Sequence, residues 1–306
     1  MLRHIGGRVL WAIPVLLGVS LIVFGILKAI PGDAAQVMAG SDATAADIQA
    51  IRQLLGLDQP VYVQYAQWLE RLATLDLGRS AVTRRPVTYE IATRVRPTAE
   101  LAAAAMGLAV AVGLAAGVTA ATHQHSSWDG AMALATALGV SVPIFWLGLM
   151  LMMLFSVSLR WLPSTGAGTP AQLILPALTL GAASAATVAR QTRSAMLDIL
   201  KQDYLRTARA KGVAGWTLVM RHAFRNAVIP IITVVGLQLG YLLAGTVLTE
   251  TVFARPGLGR LVVDAIRTRD IAVVQATVML LSVTFIAVNL VVDLLYAYLD
   301  PRIRFD

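Results

Sequence analysis

The chain has 306 residues, of which 57% are hydrophobic and 14% are charged, and it carries a net charge of +8. Soluble domains contain about 25% charged residues, so this composition excludes a soluble globular protein and indicates several membrane spans. The chain has no cysteine, which excludes disulfides, thiolate metal sites and cysteine nucleophiles. In a membrane protein, the excess of basic residues indicates orientation rather than binding to nucleic acid.

The first predicted span covers residues 9–30, close to the roughly 20 residues that cross a bilayer core. Arg3 and Arg8 precede it, which places its start in the cytoplasm. The span is longer than a typical signal-peptide core and no convincing cleavage site is present, so we expect a retained anchor helix.

An external segment is predicted over residues 31–98. Apolar residues recur at helical spacing in DIQAIRQLLGL and QYAQWLERLATL, which indicates two or three short amphipathic helices. Tyr62, Tyr65 and Trp68 supply aromatic anchors. Packing on the membrane helices is the preferred role for this segment, and direct contact with substrate is the alternative.

The second predicted span covers residues 99–122 and contains a G-x-x-x-G pair at Gly113 and Gly117, which allows close approach of another helix. A turn over residues 123–130 follows it. Its two histidines, His123 and His125, are too few to predict a metal site.

The third predicted span, residues 131–158, contains Pro143, which predicts a kink. Such a kink either lines a translocation path or serves ordinary packing. An outer loop over residues 159–172 leads to the fourth span, residues 173–189. Thr179, Ser184 and Thr187 make this span polar, which favours contact with protein or a pore on one face.

The fifth predicted span covers residues 227–248 and the sixth covers residues 273–299. The fifth contains a second G-x-x-x-G pair, Gly236 and Gly240, and a polar residue at mid-depth, Gln238. Gln238 either faces a translocation path, which we slightly prefer, or bridges two helices.

Residues 249–272 form a predicted outer loop that reads TETVFARPGLGRLVVDAIRTRD. Phe253, Pro256 and Gly257 indicate a turn, and the residues after it, including Arg260, indicate a short helix. This helix either contacts another protein or lies on the membrane surface.

The stretch 190–230 is too basic for a bilayer interior, where each Arg or Lys costs about 2.5–3.5 kcal/mol. We therefore expect a structured cytoplasmic loop. Its pattern predicts a short helix over 204–211, with Asp203 as its N-cap and Gly212 as its C-terminal stop. A second helix should begin near Trp216, and Pro230 should lie in the first turn of the next span. Its eight basic residues are Arg190, Arg193, Lys201, Arg206, Arg209, Lys211, Arg221 and Arg225.

The sequence contains no Gly-Lys pair, so it lacks the phosphate-binding loop of an ATPase. Asp293 is the single candidate within the spans for an intramembrane protease, and such an enzyme needs a pair. A secondary carrier usually has ionisable relays and internal repeats, which we do not see. Energy for transport must therefore come from another subunit, bound through the basic loop.

The phrase DYLRTARAKG, followed by RHAFRNAVIP, resembles the cytoplasmic "EAA" loop of ABC importer membrane subunits, in particular the dipeptide/oligopeptide/nickel permease family. LDQPVYVQYAQWL, DLGRS, RPTAEL, ETVFARPGLG and VDLLYAYLDPRIR strengthen the resemblance, which covers nearly the whole chain. Against the general motif, Arg206 and Thr207 replace Glu and Ala, whereas Ala208 keeps the second Ala.

The resemblance implies an all-α type I ABC importer permease fold with six spans, both termini cytoplasmic and an external helical subdomain. It implies an N-terminal tail and first span over 1–30, an external segment over 31–98 and a core permease domain over 99–306. The coupling loop covers 190–226. The expected location is the bacterial cytoplasmic membrane.

The resemblance also implies partners: a second homologous permease, two ATPase subunits that hold ATP and magnesium, and an external substrate-binding protein. This chain would have no catalytic residue, metal or cofactor of its own. The expected substrates are dipeptides or oligopeptides, with nickel chelates, glutathione and opines as alternatives. A membrane scaffold or a secondary carrier is the distant alternative.

Three groups of residues are the predicted sites. The ATPase-coupling group is Asp203, Tyr204, Arg206, Thr207, Ala208, Lys211 and Gly212. The translocation-path group is Pro143, Thr179, Ser184 and Gln238. The group that contacts the binding protein is Phe253, Pro256, Gly257 and Arg260.

Overall fold

The computed structural model describes residues 2–29, 34–39, 43–54 and 56–299. Regular structure in these ranges is helical, apart from one isolated β-bridge between Arg79 and Pro86. Two π-helical stretches, Met152–Ser158 and Leu218–Phe224, follow α7 and α10 directly. The helices are α1 Leu2–Ala29, α2 Ala34–Ala39, α3 Ala45–Leu54, α4 Val61–Ala73, α5 Val87–Thr122, α6 Ser127–Ser141, α7 Ile144–Leu151, α8 Ala171–Leu200, α9 Asp203–Ala210, α10 Gly215–Thr217, α11 Arg225–Val252, α12 Leu258–Arg267 and α13 Ile271–Leu299.

Five helical segments of the described chain are long and apolar enough to cross a membrane. They are α1, α5, α8, α13 and the continuous segment from α10 to α11. The pair α6 and α7, with its π-helical extension, also passes this test but is bent by 108°. If this broken pair is one span, the total is the six that the sequence predicts.

The described residues divide into two compact units. The first comprises the residues up to Thr98 together with 256–287. Its apolar core joins the start of α5 to α12 and the start of α13, through residues such as Val87, Leu258 and Val273. The short helices predicted in the external segment are present as α2, α3 and α4.

The second unit comprises 99–255 and 288–299, with α8 packed against α6, α7 and α11, and against α5 at two glycines. Glycines let these helices approach closely. A Cβ at Gly113 would lie 2.7 Å from the Val188 side chain, and one at Gly117 would lie 2.6 Å from the carbonyl oxygen of Ala189. The close approach predicted for this G-x-x-x-G pair is therefore confirmed.

Helix α5 begins at Val87, whereas the predicted second span begins at residue 99, so the helix starts before the apolar part of its sequence. The composition becomes apolar at residue 99, but the helix extends through Pro97 toward the N-terminus. Arg94 pairs with Glu90 at 2.5 Å, one turn away, which lets charged residues stay in the helix.

The third span is broken, whereas the sequence predicts a kink. Val142 and Pro143 are both extended, with ψ of 125° and 135°. A residue before proline is restricted from the helical region, so the helix stops there and restarts at Ile144. The helix before the break also begins earlier than predicted, because the Ser126 hydroxyl caps it by accepting a bond from the amide of Asp129.

Helix α8 continues to Leu200, so the first eleven residues of the predicted loop 190–230 are helical. Its buried face continues through Thr192, Ala195 and Met196, and this apolar contact keeps the helix intact. The charge of Arg193 is paired with that of Asp129, at 2.6 Å.

The second loop helix does not end before the fifth span. It begins at Gly215 and continues without a break through the π-helical stretch into α11, which ends at Val252. Pro230 therefore lies inside α11 and not in its first turn. Proline removes one helical donor there, which a long helix packed on its neighbours tolerates.

Candidate functional site

Helix α9, Asp203–Ala210, is the short helix predicted for the coupling loop. Its C-terminus follows the prediction: Gly212 has φ of +80°, its amide donates to the Arg209 carbonyl, and the Val213 amide donates to the Ala208 carbonyl. This pairing is a Schellman-type ending, which requires a left-handed residue. The stop predicted at Gly212 is confirmed.

The N-cap prediction was wrong. Gln202 is the extended residue before α9, and Asp203 is the first helical residue without a capping bond to the backbone. The Asp203 carboxylate instead pairs with Arg206 at 3.3 Å, and both side chains are highly exposed. Its negative charge still lies at the positive end of the helix, where the dipole favours it.

One face of α9 is anchored and the other is free. Leu205 is 1% exposed and packs in an apolar cluster with Met196, Leu218 and Ala227. The predicted coupling residues Asp203, Tyr204, Arg206, Thr207, Lys211 and Gly212 are exposed, and Ala208 is half-buried. The helix is thus fixed to the protein through Leu205, and its polar and basic side chains face outward.

A hydrogen-bonded tether joins α9 to the helix that follows. The hydroxyl of Tyr204 donates to the carbonyl oxygen of His222 at 3.3 Å and accepts from the Asn226 amide at 2.8 Å. Asn226 also donates to the His222 carbonyl at 3.1 Å. His222 lies in the π-helical stretch Leu218–Phe224 at the entrance to α11, so Tyr204 links the loop helix directly to the fifth span.

A second linkage ties α8 to the start of α6. The Arg193 guanidinium donates to both oxygens of Asp129, at 2.6 and 2.8 Å. The His125 amide donates to the same carboxylate at 3.1 Å. Sequence reasoning missed this pair, although an acidic residue at the start of one span and a basic residue at the end of another were the available signals.

The predicted path residues fall in different surroundings. Ser184 on α8 donates to the side-chain oxygen of Gln238 on α11 at 2.9 Å, so the structure brings these two together. Gln238 thus makes the bridge that was the alternative prediction. Thr179 is buried and donates to the Leu175 carbonyl, and Pro143 is exposed at the break between α6 and α7.

The predicted outer contact residues are only partly exposed. Phe253 is 1% exposed, and its side chain lies over Gly148, where a Cβ would be 3.2 Å from its ring. In the other unit, Gly257 is buried, Pro256 is exposed, and the half-exposed Arg260 pairs with Asp264 at 3.4 Å. The predicted turn and short helix are confirmed by α12.

Sequence reasoning also missed a buried charge beside Phe253. Arg255 is 1% exposed and donates to Glu100 at 3.2 Å. Burial lowers the pKa of the Arg255 guanidinium, while the carboxylates of Glu100 and Glu250 act in the opposite direction. Glu250 is itself fully buried. The available signal in the sequence was the occurrence of two charged residues, Glu250 and Arg255, within the otherwise uncharged phrase TETVFARPG.

The match to protein families covers nearly the whole chain. Residues 113–305 match the family described as binding-protein-dependent transport system inner membrane component. Residues 1–102 match the N-terminal region of such membrane components.

Curated relatives have the same length. The glutathione transport system permease protein GsiC of Escherichia coli O6:H1 (strain CFT073) is 48% identical over 306 residues, covering 100% of both chains. The GsiC proteins of Salmonella typhimurium (strain LT2) and Escherichia coli (strain K12) are 48% and 47% identical over the same full length.

The fold is similar to that of a chain of the MetNI methionine ABC transporter in inward-facing conformations, with a TM-score of 0.58 and 18% sequence identity. The likeness covers 70% of this chain and 98% of that chain, and at this identity it supports the fold alone. The fold class predicted from the sequence is confirmed. The chain therefore belongs to the binding-protein-dependent transport system inner membrane components, the type I permease subunits of bacterial ABC importers, as a multi-pass protein of the cytoplasmic membrane.

Proposed function

We propose that the chain forms half of an import path for small peptides, with glutathione as the preferred substrate. The support is the 48% identity over the full length to permeases named for glutathione transport. Glutathione is itself a small peptide, so this proposal narrows the dipeptide and oligopeptide class expected from the sequence. Nickel chelates and opines are the alternative cargoes.

The proposed assembly contains a second homologous permease, two ATPase subunits and an external binding protein. ATP and magnesium are held by the ATPase subunits, and this chain supplies no catalytic group. The external protein delivers the substrate, and Pro256 and Arg260 are exposed enough to contact it.

Helix α9 is the proposed attachment point for an ATPase subunit. The single observation that carries this proposal is the geometry of α9. It is an exposed basic helix between two membrane helices, it ends at Gly212, and the buried Leu205 anchors it. Closure of the ATPase subunits would move α9, and the motion would reach α11 through Tyr204 and α8 through the residues before Asp203. Ser184 and Gln238, which join these two helices, would move with them.

Coupling is tested with the complete transporter in proteoliposomes. Gly212→Pro removes the amide that donates to Arg209 and cannot adopt a positive φ, so we expect ATP-driven uptake to be lost. Gly215→Ala is the matched control, because a Cβ there meets nothing within 4 Å. Charge reversal at Arg206 should likewise uncouple ATP hydrolysis from uptake. Normal coupling in both Gly212→Pro and the Arg206 variant would exclude α9 as the attachment point.

Substrate is tested separately with the unmodified transporter. We expect binding-protein-dependent uptake of labelled glutathione, competed by excess unlabelled glutathione more strongly than by dipeptides or a nickel chelate. Uptake of dipeptides alone would refute the glutathione assignment and leave the coupling proposal intact. A stable complex whose ATP hydrolysis never responds to a loaded binding protein would instead indicate a scaffold.

A further inference from the structure

The first unit contains a cavity of about 370 Å³ between α4, the loop after it and the start of α13. Its floor is mainly apolar and is formed by Leu57, Trp68, Leu72, Leu77, Ile271 and Ala276. Gln275, which is 9% exposed, adds one amide to this floor. The cavity has the size and the apolar lining of a site for a small molecule or a part of a larger amphiphile.

The cavity lies near the outer ends of two predicted membrane spans, α1 and α13. With both termini cytoplasmic, α13 starts on the external side, so Ile271 marks the outer end of that span. Helix α4 is held to the outer half of α1 by stacking of Trp68 on Phe24, with ring centroids 6.0 Å apart. The hydroxyls of Tyr65 and Ser20 share a hydrogen bond of 2.8 Å at the same contact. In the expected orientation of these spans, the opening of the cavity is at the level of the outer lipid headgroups.

Its charged lining is cationic. Arg71, Arg79 and Arg269 all line the cavity and are exposed, and Asp76 is the acidic residue among the lining residues. The Asp76 carboxylate accepts from the Gly78 amide at 3.1 Å, which holds it within its own loop. Three guanidinium groups against one carboxylate suit an anion with several oxygen acceptors, such as a phosphate ester.

Arg269 has a backbone conformation that normally favours glycine. Its φ is 57°, and it ends α12 with its amide donating to Ile266 while the Asp270 amide donates to Ala265. Glycine would end this helix with less strain, so the ending itself gives no reason for an arginine. Arg84 and Arg160 share this conformation without lining the cavity, so Arg269 is distinguished by its place in the cavity lining.

We propose that this cavity binds an anionic phospholipid of the outer leaflet. The phosphate contacts Arg71, Arg79 and Arg269, and the first part of an acyl chain lies on the apolar floor beside Trp68. A zwitterionic lipid presents a cation next to its phosphate, which the three guanidinium groups disfavour. A free anion would leave the apolar lining uncovered, whereas an amphiphile covers both the apolar and the cationic parts. This inference does not depend on the substrate or on the coupling role of α9.

The test uses the full-length chain in nanodiscs of phosphatidylcholine alone or mixed equally with phosphatidylglycerol. One lipid at a time carries bromine on its acyl chains near the headgroup, and the bromine quenches tryptophan fluorescence on contact. The difference between the wild type and Trp68→Phe isolates the signal of Trp68. We expect stronger quenching of Trp68 by brominated phosphatidylglycerol than by brominated phosphatidylcholine. The apparent affinities derived from the quenching should differ roughly tenfold.

The triple variant Arg71→Gln, Arg79→Gln, Arg269→Gln should lose this preference. A control with the same loss of charge, Arg84→Gln, Arg160→Gln, Arg267→Gln, should keep it, because those residues do not line the cavity. If the triple variant fails to fold, the single variant Arg269→Gly tests the same point, since glycine suits the local backbone.

Several results would overturn the proposal. Equal quenching by the two lipids would do so, as would a preference that survives in the triple variant and in Arg269→Gly. Glycerol 3-phosphate and glutathione are added in separate arms, and displacement of the lipid by either one at low concentration would indicate a site for a free anion. If the triple variant no longer docks the external binding protein but keeps its lipid preference, the cavity is a protein-binding surface.

Discussion

Arg193 and Asp129 lie 64 residues apart in sequence, yet the guanidinium donates to both carboxylate oxygens, at 2.6 and 2.8 Å. The side chain of Asp129 is 9% exposed and that of Arg193 is 33% exposed. Asp129 lies in the first turn of α6, where the helix dipole also favours its charge. This pair joins the start of α6 to the part of α8 that leads to α9.

The first prediction concerns this pair. Lysine cannot reproduce a two-pronged bond, so Arg193→Lys should lower the thermal stability of the purified protein and Arg193→Ala should lower it further. Asp129→Asn should lower the melting temperature more than Arg193→Lys does, because it leaves the half-buried guanidinium without a charged partner. Lys201→Ala, an exposed change near the end of the same helix, is the control. Equal melting temperatures for all four variants would show that the pair does not stabilise the fold.

The second prediction concerns the tether between α9 and α11. Tyr204→Phe keeps the ring and removes the hydroxyl that bonds to His222 and Asn226. The variant loses both of these bonds but keeps the bond from Asn226 to the His222 carbonyl, so we expect roughly two- to tenfold less uptake per ATP hydrolysed. ATPase subunits should still co-purify, since the other exposed coupling residues, including Arg206, Thr207 and Lys211, are unchanged. Asn226→Ala should have a similar effect, and normal coupling in both variants would contradict the tether.

The third prediction concerns the contact between α5 and α8. A Cβ at Gly117 would lie 2.5 Å from the Thr192 Cβ, and the neighbouring Ala189 carbonyl is backbone that cannot move away. Gly117→Leu should therefore destabilise the protein by about 1–3 kcal/mol or more, the usual effect of overpacking. Gly107→Ala on the same helix is the control, because nothing lies within 4 Å of the added atom. Thermal unfolding in detergent measures both, and a harmless Gly117→Leu would refute the close packing.

The fourth prediction concerns Ser184 and Gln238. Hydrogen bonds between membrane helices average about 0.6 kcal/mol in double-mutant cycles, so the cycle of Ser184→Ala and Gln238→Leu should give a coupling of that order. If the Ser184–Gln238 bond takes part in the motion of α8 and α11 during transport, the variants should change the transport rate more than they change stability. A coupling of zero would show that the two side chains act independently.

These contacts mark the limit of what the sequence predicts. The number and order of spans follow from apolar length, and the stop at Gly212 follows from the need for a residue with positive φ. The partner of Arg193 does not follow, because the pairing is set by how α6 and α8 pack. For the same reason the sequence predicts that α8 ends before Arg190, whereas a buried face and a paired charge carry the helix to Leu200.

The break at Pro143 shows another limit. Proline within an apolar span predicts a disturbance of the helix, but it does not predict whether the helix bends or stops. The extended conformation of Val142, the residue before the proline, shows that the helix stops, and α7 packs on α8 after the break. Gln238 is a similar case, since a polar residue at mid-depth is compatible with a path or with a bridge, and only the position of Ser184 distinguishes them.

The last prediction concerns Arg255, which is 1% exposed and bonded to Glu100. Glu100 is 39% exposed and is solvated when Arg255 is replaced, whereas the fully buried Glu250 would lose a favourable electrostatic interaction. We therefore expect a cost toward the lower end of the about 3–5 kcal/mol that breaking a fully buried pair typically incurs. Arg255→Leu should therefore reduce the amount of folded protein in the membrane, whereas the exposed Arg160→Leu should not. The fully buried Glu250 also acts electrostatically on Arg255, so the double variant Arg255→Leu, Glu250→Leu should recover part of the loss. A double variant that is worse than Arg255→Leu by the full effect of Glu250→Leu alone would show that the two charges do not interact.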